Sequence, residues 1–175
     1  GQLAAMAVLP TRGLAEDDVL VLQYPLPATA ALRQALAAAP ASADLILAVA
    51  RNESLFDPAV RSRAGALGFM QIMPFHYDAA ARRPGPGHWS QPAVSIARGA
   101  RLLADEGRRF GADPYRAVAA YNAGAGAVRR WDRQLGGSPG RAAFLAWIGY
   151  DETRRYVGAV LTDREIYRWL LAGDR

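Results

Sequence analysis

The stretch SADLILAVARNESLFDP, residues 42–58, decides the fold because its apolar residues recur at helical spacing. Ile46, Val49 and Ala50 fall on one face of the predicted helix, which is the face that packs into a core. Glu53 follows Ile46 by seven residues and therefore lies on the same face. A carboxylate on an apolar stripe needs a structural or a chemical explanation.

Two explanations of Glu53 remain open at this level. Burial disfavours the charged form of a carboxyl group and raises its pKa, and a carboxyl group protonated near neutral pH can act as a general acid. Alternatively, Glu53 is a structural residue in the last turn of its helix, paired with a nearby arginine or reaching solvent. Position alone does not choose between a catalytic and a structural Glu53.

The rest of the chain predicts an all-α domain of short helices around a single core. Alanine is abundant, β-branched runs are short, and neither an internal repeat nor an Asn-Gly hairpin signal occurs. Ser90, Asp113 and Asp151 are suitable helix caps. Helices are predicted at residues 42–56, 92–110, 113–121, 129–136, 138–147 and 151–172, with a further short helix interrupted near Pro74.

The first 42 residues differ from the remainder. They mix Pro and Gly breaks with one short helical run, so residues 1–42 are predicted to be a linker or the C-terminal remnant of a preceding helical domain. Residues 43–175 are predicted to form the folded domain that carries Glu53. No charged segment followed by an apolar one marks a signal peptide at the start, and no apolar run approaches the roughly 20 residues of a membrane span.

Composition excludes several classes of chemistry. The chain has no cysteine and only two histidines, so disulfides, thiolate chemistry and His-rich or Cys-based metal sites are excluded, and no cofactor or metal is expected. All 21 basic residues are arginine, and the net charge is +5. This charge suits an anionic partner or is simply a solvated basic surface. No basic helix with base-reading spacing occurs, which argues against a nucleic-acid partner.

Two further segments carry polar groups in places where a ligand could reach them. Residues 62–74, SRAGALGFMQIMP, combine glycines with Gln71, whose amide both donates and accepts hydrogen bonds. Residues 120–124, AYNAG, place Tyr121 and Asn122 at a helix end. Core packing of the methionines and helix capping by Tyr121 and Asn122 are the structural alternatives.

Four segments in this order resemble the signature segments of the soluble lytic transglycosylases, bacterial enzymes with a goose-lysozyme-like fold that cleave peptidoglycan. The segments are RNES (51–54), SRAGALGFMQIMP (62–74), AYNAGAGAV (120–128) and YDETRRYV (150–157). The resemblance covers about residues 43–171. Phe69 stands where Leu is usual, and Asp151 stands where Ser is common.

The resemblance implies a role for each matching residue. Glu53 corresponds to the family's sole catalytic acid and base, and the implied substrate-binding residues are Ser62, Gln71, Met73, Tyr121, Asn122 and Glu152. Ser62 would contact the sugar near the cleaved bond, and Tyr121 would lie beside the catalytic carboxyl group. Glu152 corresponds to a buried glutamate on the opposite wall of the groove. Tyr156 also matches, and it is structural as readily as functional.

The implied function is cleavage of the bond between N-acetylmuramic acid and N-acetylglucosamine with formation of a 1,6-anhydromuramic acid end. The implied partners are peptidoglycan strands, with an N-terminal helical domain of the same protein or other cell-wall enzymes as further candidates. The implied location is the periplasm or cell envelope. A muramidase that hydrolyses the same bond and a non-catalytic glycan-binding module with this fold remain the alternatives.

Overall fold

The computed structural model describes residues 23–83, 85, 87–137 and 140–173. Within these ranges the chain forms α1 (Ala30–Ala37), α2 (Ala43–Ser54), α3 (Pro92–Arg109), α4 (Pro114–Ala123), α5 (Ala125–Gln134), α6 (Arg141–Trp147), α7 (Asp151–Gly173) and one 3₁₀ turn, Pro74–His76. Extended pairing in the described part is limited to isolated bridges. The all-α prediction is confirmed.

Helix α2 lies at the centre of the fold. Residues 46–50 are almost completely buried, as the sequence pattern predicts. The most extensive helix packing in the described part is between α2 and α7, and α4 packs on both α3 and α7. The face of α2 that carries Glu53 is therefore covered by α7, which comes from the far end of the sequence.

Helix α2 ends at Ser54, two residues before the predicted end at residue 56. Leu55 and Phe56 both adopt left-handed backbone conformations, with φ of 50° and 65°, and this stops the helix. The turn directs the buried Phe56 ring against Phe69, with ring centroids 5.4 Å apart. Ser54 donates a hydrogen bond to the Phe69 carbonyl oxygen at 2.7 Å. These tertiary contacts therefore end α2 at Ser54, four residues ahead of Pro58, whose ring was expected to stop the helix.

The prediction of a short helix interrupted near Pro74, in the segment FMQIMPFHYDAAA (residues 69–81), was wrong. The backbone instead forms a tight antiparallel turn in which Leu67 and Ile72 exchange both backbone hydrogen bonds, each 3.0 Å long. Gly68 and Gln71 have positive φ values of 73° and 46°, which no α-helix contains. A Cβ atom on Gly68 would lie 3.0 Å from the Trp89 carbonyl oxygen, so the close approach of two backbone segments requires glycine there.

Helix caps were predicted with mixed success. Asp113 caps α4 through a hydrogen bond from the Tyr115 N–H, as expected. The predicted cap Ser90 is wrong, because the N-cap of α3 is Gln91 and the Ser90 hydroxyl lies 2.7 Å from His88 Nδ1. Asp151 is the first residue of α7 and not the residue before it. Helix α4 runs two residues beyond the predicted end, and α5 begins four residues early. The predicted start of α6 at residues 138 and 139 lies outside the described residues.

The described part of the predicted linker packs on the helical core. Leu32 and Leu36 of α1 are buried. Tyr24 is buried too, and its ring meets the Tyr167 ring edge-on at 5.5 Å. Residues 23–42 thus contribute to the core, and their assignment to a linker or to the remnant of a preceding helical domain stays a prediction. The first 22 residues of that predicted segment lie outside the described residues.

None of the helices in the described ranges has the length and apolar character that crossing a membrane requires.

Candidate active site

Glu53 lies in the last turn of α2 and is only partly exposed. Tyr156, on the first half of α7, donates a hydrogen bond to Glu53 Oε1 at 2.6 Å. The two residues meet because α2 and α7 form the most extensive helix pair in the described part. A short hydrogen bond to one carboxyl oxygen fixes the orientation of the Glu53 side chain.

Among the described residues, no arginine pairs with Glu53, as the structural alternative would require. Arg51 forms a salt bridge with Asp163 of α7 at 3.0 Å, and Asn52 donates to the same Asp163 oxygen at 2.8 Å. Tyr24 donates to the other oxygen of Asp163 at 2.9 Å. Arg51 and Asn52 thus anchor the end of α2 to α7 through Asp163. The hydrogen-bond partner of Glu53 is instead the phenol group of Tyr156.

The environment raises the pKa of Glu53 to about 7, mainly because burial penalises the carboxylate. The hydrogen bond from Tyr156 acts in the opposite direction, since it stabilises the charged form and lowers the pKa. The charge of Glu152 raises it further. Glu53 is therefore a carboxyl group that is substantially protonated at neutral pH.

Glu152 is close enough to act on Glu53 electrostatically, but it is exposed. The expectation of a buried glutamate at this position was therefore wrong. Glu152 is the second residue of α7 and its side chain reaches solvent, whereas Thr153 beside it is buried and Tyr156 one turn later contacts Glu53.

Tyr121 lies at the end of α4 and donates a hydrogen bond to the Met70 carbonyl oxygen at 2.7 Å. Burial, and then the nearby Glu53 charge, raise the pKa of Tyr121 well above its usual value. The same two causes raise the pKa of Tyr156. Both phenols are therefore neutral hydrogen-bond donors near Glu53 at any physiological pH.

Ser62 and Gln71 shape the loop between α2 and α3. Ser62 Oγ accepts a hydrogen bond from the Ala66 N–H at 2.9 Å. Gln71 Nε2 donates to the Gly68 carbonyl oxygen at 2.9 Å, which holds the positive-φ turn together. The backbone of Met70 then reaches α3, since its N–H donates to Ser95 Oγ at 3.0 Å.

Four predicted substrate-binding residues lie together on one open cavity of about 280 Å³; they are Gln71, Met73, Tyr121 and Asn122. Asn122 is held by Thr153 of α7, which donates to Asn122 Oδ1 at 2.7 Å. Ser62 does not line this cavity. Glu53 and Glu152 do not line it either. Tyr121 connects the two places, since it lines the cavity and the charge of Glu53 raises its pKa.

Sequence reasoning underrated Tyr156, which is the hydrogen-bond partner of Glu53. A signal existed: Glu152 and Tyr156 are four residues apart on one helix and so share a face. The spacing shows that both side chains project in one direction, but it gives no depth of burial.

Comparison with known proteins identifies the family. The Transglycosylase SLT domain matches residues 31–144, which is more than half of the chain. This chain belongs to the SLT domain family. The match also begins inside α1, within the described residues that pack on the core.

This chain is similar to two relatives that carry the same name. It is 41% identical over 138 residues to "Soluble lytic murein transglycosylase" of Escherichia coli (strain K12), covering 74% of this chain and 21% of the relative. It is 42% identical over 131 residues to the protein of the same name from Salmonella typhimurium, covering 70% and 20%. The chain thus spans about a fifth of the length of these relatives.

Solved structures agree. The 70 kDa soluble lytic transglycosylase of Escherichia coli matches with a TM-score of 0.73 at 35% identity, covering 88% of this chain and 26% of that one. Its complex with bulgecin A matches with a TM-score of 0.76. An inactive mutant of lytic transglycosylase Slt from Pseudomonas aeruginosa, a glutamate-to-glutamine change, matches with a TM-score of 0.74 at 30% identity, covering 87% of this chain and 26% of that one. The lysozyme-like helical fold of the SLT domain is confirmed.

Proposed function

We propose that this chain is the catalytic domain of a peptidoglycan lytic transglycosylase in which Glu53 acts first as the acid and then as the base. The observation that carries the proposal is the environment of Glu53: a partly buried carboxyl group with a pKa near 7, oriented by Tyr156. The names of the relatives and the inactive glutamate-to-glutamine mutant of the Pseudomonas protein support it. The cell envelope, where murein lies, is the proposed place of action.

In the first step, Glu53 gives its proton to the glycosidic oxygen between N-acetylmuramic acid and N-acetylglucosamine. Because Tyr156 donates to Oε1, the proton of the neutral acid is assigned to Oε2, which is the oxygen that meets the substrate in this proposal. The bond from C1 of the muramic acid to the bridging oxygen breaks, and the departing sugar leaves as an alcohol. The oxygen of the substrate's own 2-acetamido group stabilises the cationic C1.

In the second step, the Glu53 carboxylate takes the proton of the muramic acid C6 hydroxyl. The C6 oxygen attacks C1 and closes the 1,6-anhydro ring, and Glu53 returns to its protonated form. No water is consumed. Holding the C6 hydroxyl at C1 makes the attack intramolecular, a proximity effect that can supply several powers of ten in rate. A pKa near 7 suits a group that must both give and take a proton.

The rival candidate is hydrolysis, in which a second carboxylate activates a water molecule. Glu152 is the only other carboxylate whose charge acts on Glu53 in the described part of the chain, and it is exposed. Asp57 is occupied in a turn, where its carboxylate accepts from the Ala59 N–H at 2.8 Å. The arrangement around Glu53 favours the one-carboxylate route.

The deciding experiment is digestion of purified peptidoglycan in oxygen-18 water, followed by mass spectrometry of the released muropeptides. We expect anhydromuramic ends that are one water lighter than hydrolysed ends and carry no heavy oxygen. Glu53→Gln, which keeps the shape and the hydrogen bond from Tyr156 but holds no acidic proton, should reduce the rate by about a hundredfold or more.

Reducing ends that contain heavy oxygen would replace the transglycosylase by a muramidase and would direct attention to Glu152. A Glu53→Gln variant that keeps about a tenth of the wild-type rate would show that another group is the acid. Intact glycan binding without any cleavage by the wild-type chain would support the non-catalytic module instead.

A further inference from the structure

The cavity beside Tyr121 contains a carboxylate that the proposed mechanism does not use, and one of its two oxygens has no hydrogen-bond partner in the described part of the chain. Glu106, on α3, lines this cavity, and its side chain is only 16% exposed. Its Oε1 atom lies 3.3 Å from Arg109 Nη1. Its Oε2 atom is buried and accepts no hydrogen bond from any residue in the described part of the chain. An unsatisfied carboxylate oxygen is costly, and a ligand that donates to it would recover that cost.

The same cavity has an aromatic rim. Phe75 is 71% exposed, although an exposed large aromatic ring carries a solvation cost. The His76 ring lies beside it, with centroids 4.5 Å apart. Both residues line the cavity with Glu106, and both follow directly after the GFMQIMP segment, outside the residues that carry the family resemblance.

These features together match the chemistry of a sugar ring. The C–H faces of a pyranose are apolar and pack on aromatic rings, while its hydroxyl and acetamido N–H groups donate hydrogen bonds. A cavity of about 280 Å³ lies near the lower end of the volumes that small-molecule sites occupy. An apolar rim with one buried acceptor can orient a sugar ring. The rim packs on the face of the sugar, and the acceptor binds a hydrogen-bond donor at one edge of it.

We propose that Phe75, His76 and Glu106 form a sugar-binding subsite for the glycan strand. Phe75 and His76 pack on the ring face, and the Glu106 carboxylate, after a rotation of its side chain that turns Oε2 toward the cavity, accepts from a hydroxyl or acetamido N–H group. Tyr121 lines the same cavity and lies within electrostatic reach of Glu53, so the proposed subsite is near the acid, although Glu53 does not itself line the cavity. The inference rests on the proposed glycan substrate and adds residues to it that the family resemblance does not supply.

The test separates binding from cleavage by using the Glu53→Gln background. Dissociation constants are measured calorimetrically for N-acetylglucosamine oligomers of two to six units and for peptide-bearing peptidoglycan strands. The variants are Glu106→Leu, which removes the acceptor, and Phe75→Ala, which truncates an exposed ring. Asp105→Asn is the matched control, because Asp105 is exposed on the same helix and pairs with Arg108.

We expect Glu106→Leu and Phe75→Ala each to weaken binding of the longer oligomers by about tenfold, the equivalent of one good hydrogen bond or stacking contact. Asp105→Asn should leave the dissociation constant unchanged. Since Phe75 is exposed and leucine suits a largely buried position, both variants are expected to fold, and circular dichroism checks this.

Three outcomes would overturn the subsite. Unchanged oligomer binding in both variants would do so while leaving the proposed function intact. An effect confined to peptide-bearing strands would assign Glu106 to an ammonium group of the stem peptide and not to a sugar. A Glu53→Gln chain that binds no oligomer and no strand would overturn the glycan substrate itself, and the subsite with it.

Discussion

Tyr156 and Glu53, 103 residues apart in the sequence, are joined by a 2.6 Å hydrogen bond across the interface of α2 and α7. This bond lowers the pKa of Glu53, while burial and the charge of Glu152 raise it, and the balance lies near 7. Because the three influences come from different groups, each can be changed separately. The hydrogen bond from Tyr156 lowers the pKa of Glu53 and the charge of Glu152 raises it. Removing one or the other should therefore shift the pH dependence of cleavage in opposite directions.

Tyr156→Phe should move the alkaline limb of the pH–rate profile to higher pH. The change removes the hydrogen bond that stabilises the carboxylate, so the pKa of Glu53 rises and the acid stays protonated to higher pH. We also expect turnover below that limb to fall by about fivefold to tenfold, since one orienting hydrogen bond is lost. An alkaline limb that moves to lower pH would show that Tyr156 does not act on Glu53 in this way.

Glu152→Gln should move the same limb in the opposite direction. Removing the Glu152 charge takes away a repulsion that raises the pKa of Glu53, so the acid loses its proton at lower pH. The measurement is the same pH–rate profile, made at low ionic strength because Glu152 is exposed and salt screens its charge. A profile superimposable on that of the wild type would place Glu152 too far away to matter.

Glu53→Gln should stabilise the folded chain at neutral and alkaline pH. The pKa of Glu53 is about 7 in the fold and 4.5 as an unperturbed group, so the folded state binds a proton more tightly than the unfolded state does. The free energy of unfolding of the wild type therefore falls as pH rises from about 4.5 to 7, and this loss is absent from the variant. We expect a gain of about 1–3 kcal/mol at pH 8.

Urea unfolding at pH 4 and pH 8 measures that gain. At pH 4 the two proteins should have nearly equal stability, because Glu53 is protonated in both states. A variant that is less stable than the wild type at pH 8 would mean that the carboxylate is well solvated or paired in the fold.

Asp163→Asn should destabilise the chain by about 2–3 kcal/mol, because hydrogen bonds from Arg51, Asn52 and Tyr24 converge on this buried carboxylate. The control is Glu165→Gln on the same helix, whose pair with Arg168 is exposed and should contribute less than about 0.5 kcal/mol. Thermal unfolding compares the two variants. Equal melting temperatures would show that the three donors find other partners.

Gly99→Ala should destabilise the chain and weaken cleavage together. A Cβ atom at Gly99 would lie 2.5 Å from Met70 Sδ and 3.1 Å from Met70 Cβ, so Met70 must move. The carbonyl oxygen of Met70 also accepts the hydrogen bond from the Tyr121 hydroxyl, so a shift of Met70 would displace Tyr121. We expect a loss of about 1–3 kcal/mol in the free energy of unfolding.

Gly107→Ala is the matched control on the same helix, since no atom lies within 4 Å of a Cβ built there. Helix propensity alone should then stabilise the chain by up to about 1 kcal/mol. Destabilisation of similar size in both variants would point to the helix backbone and not to Met70.

The sequence determined the helical content and the inward position of Glu53. Helical periodicity and a cap such as Asp113 depend only on residues that are close in the sequence, so they can be predicted without knowledge of the tertiary structure. The four matching segments likewise identified the family before any geometry was available. The roles of the residues within those segments stay predictions.

Only the tertiary structure decided what surrounds Glu53. The bond to Tyr156, the exposure of Glu152 and the cavity that joins Tyr121 to Glu106 depend on how α2, α3, α4 and α7 pack. The turn at residues 67–72 replaced a predicted helix for the same reason, since close contact with Trp89 and α3 outweighs local propensity. The pKa of Glu53 near 7 likewise results from burial and from groups in a distant segment of the chain, so it cannot be predicted from the residues next to Glu53 in the sequence.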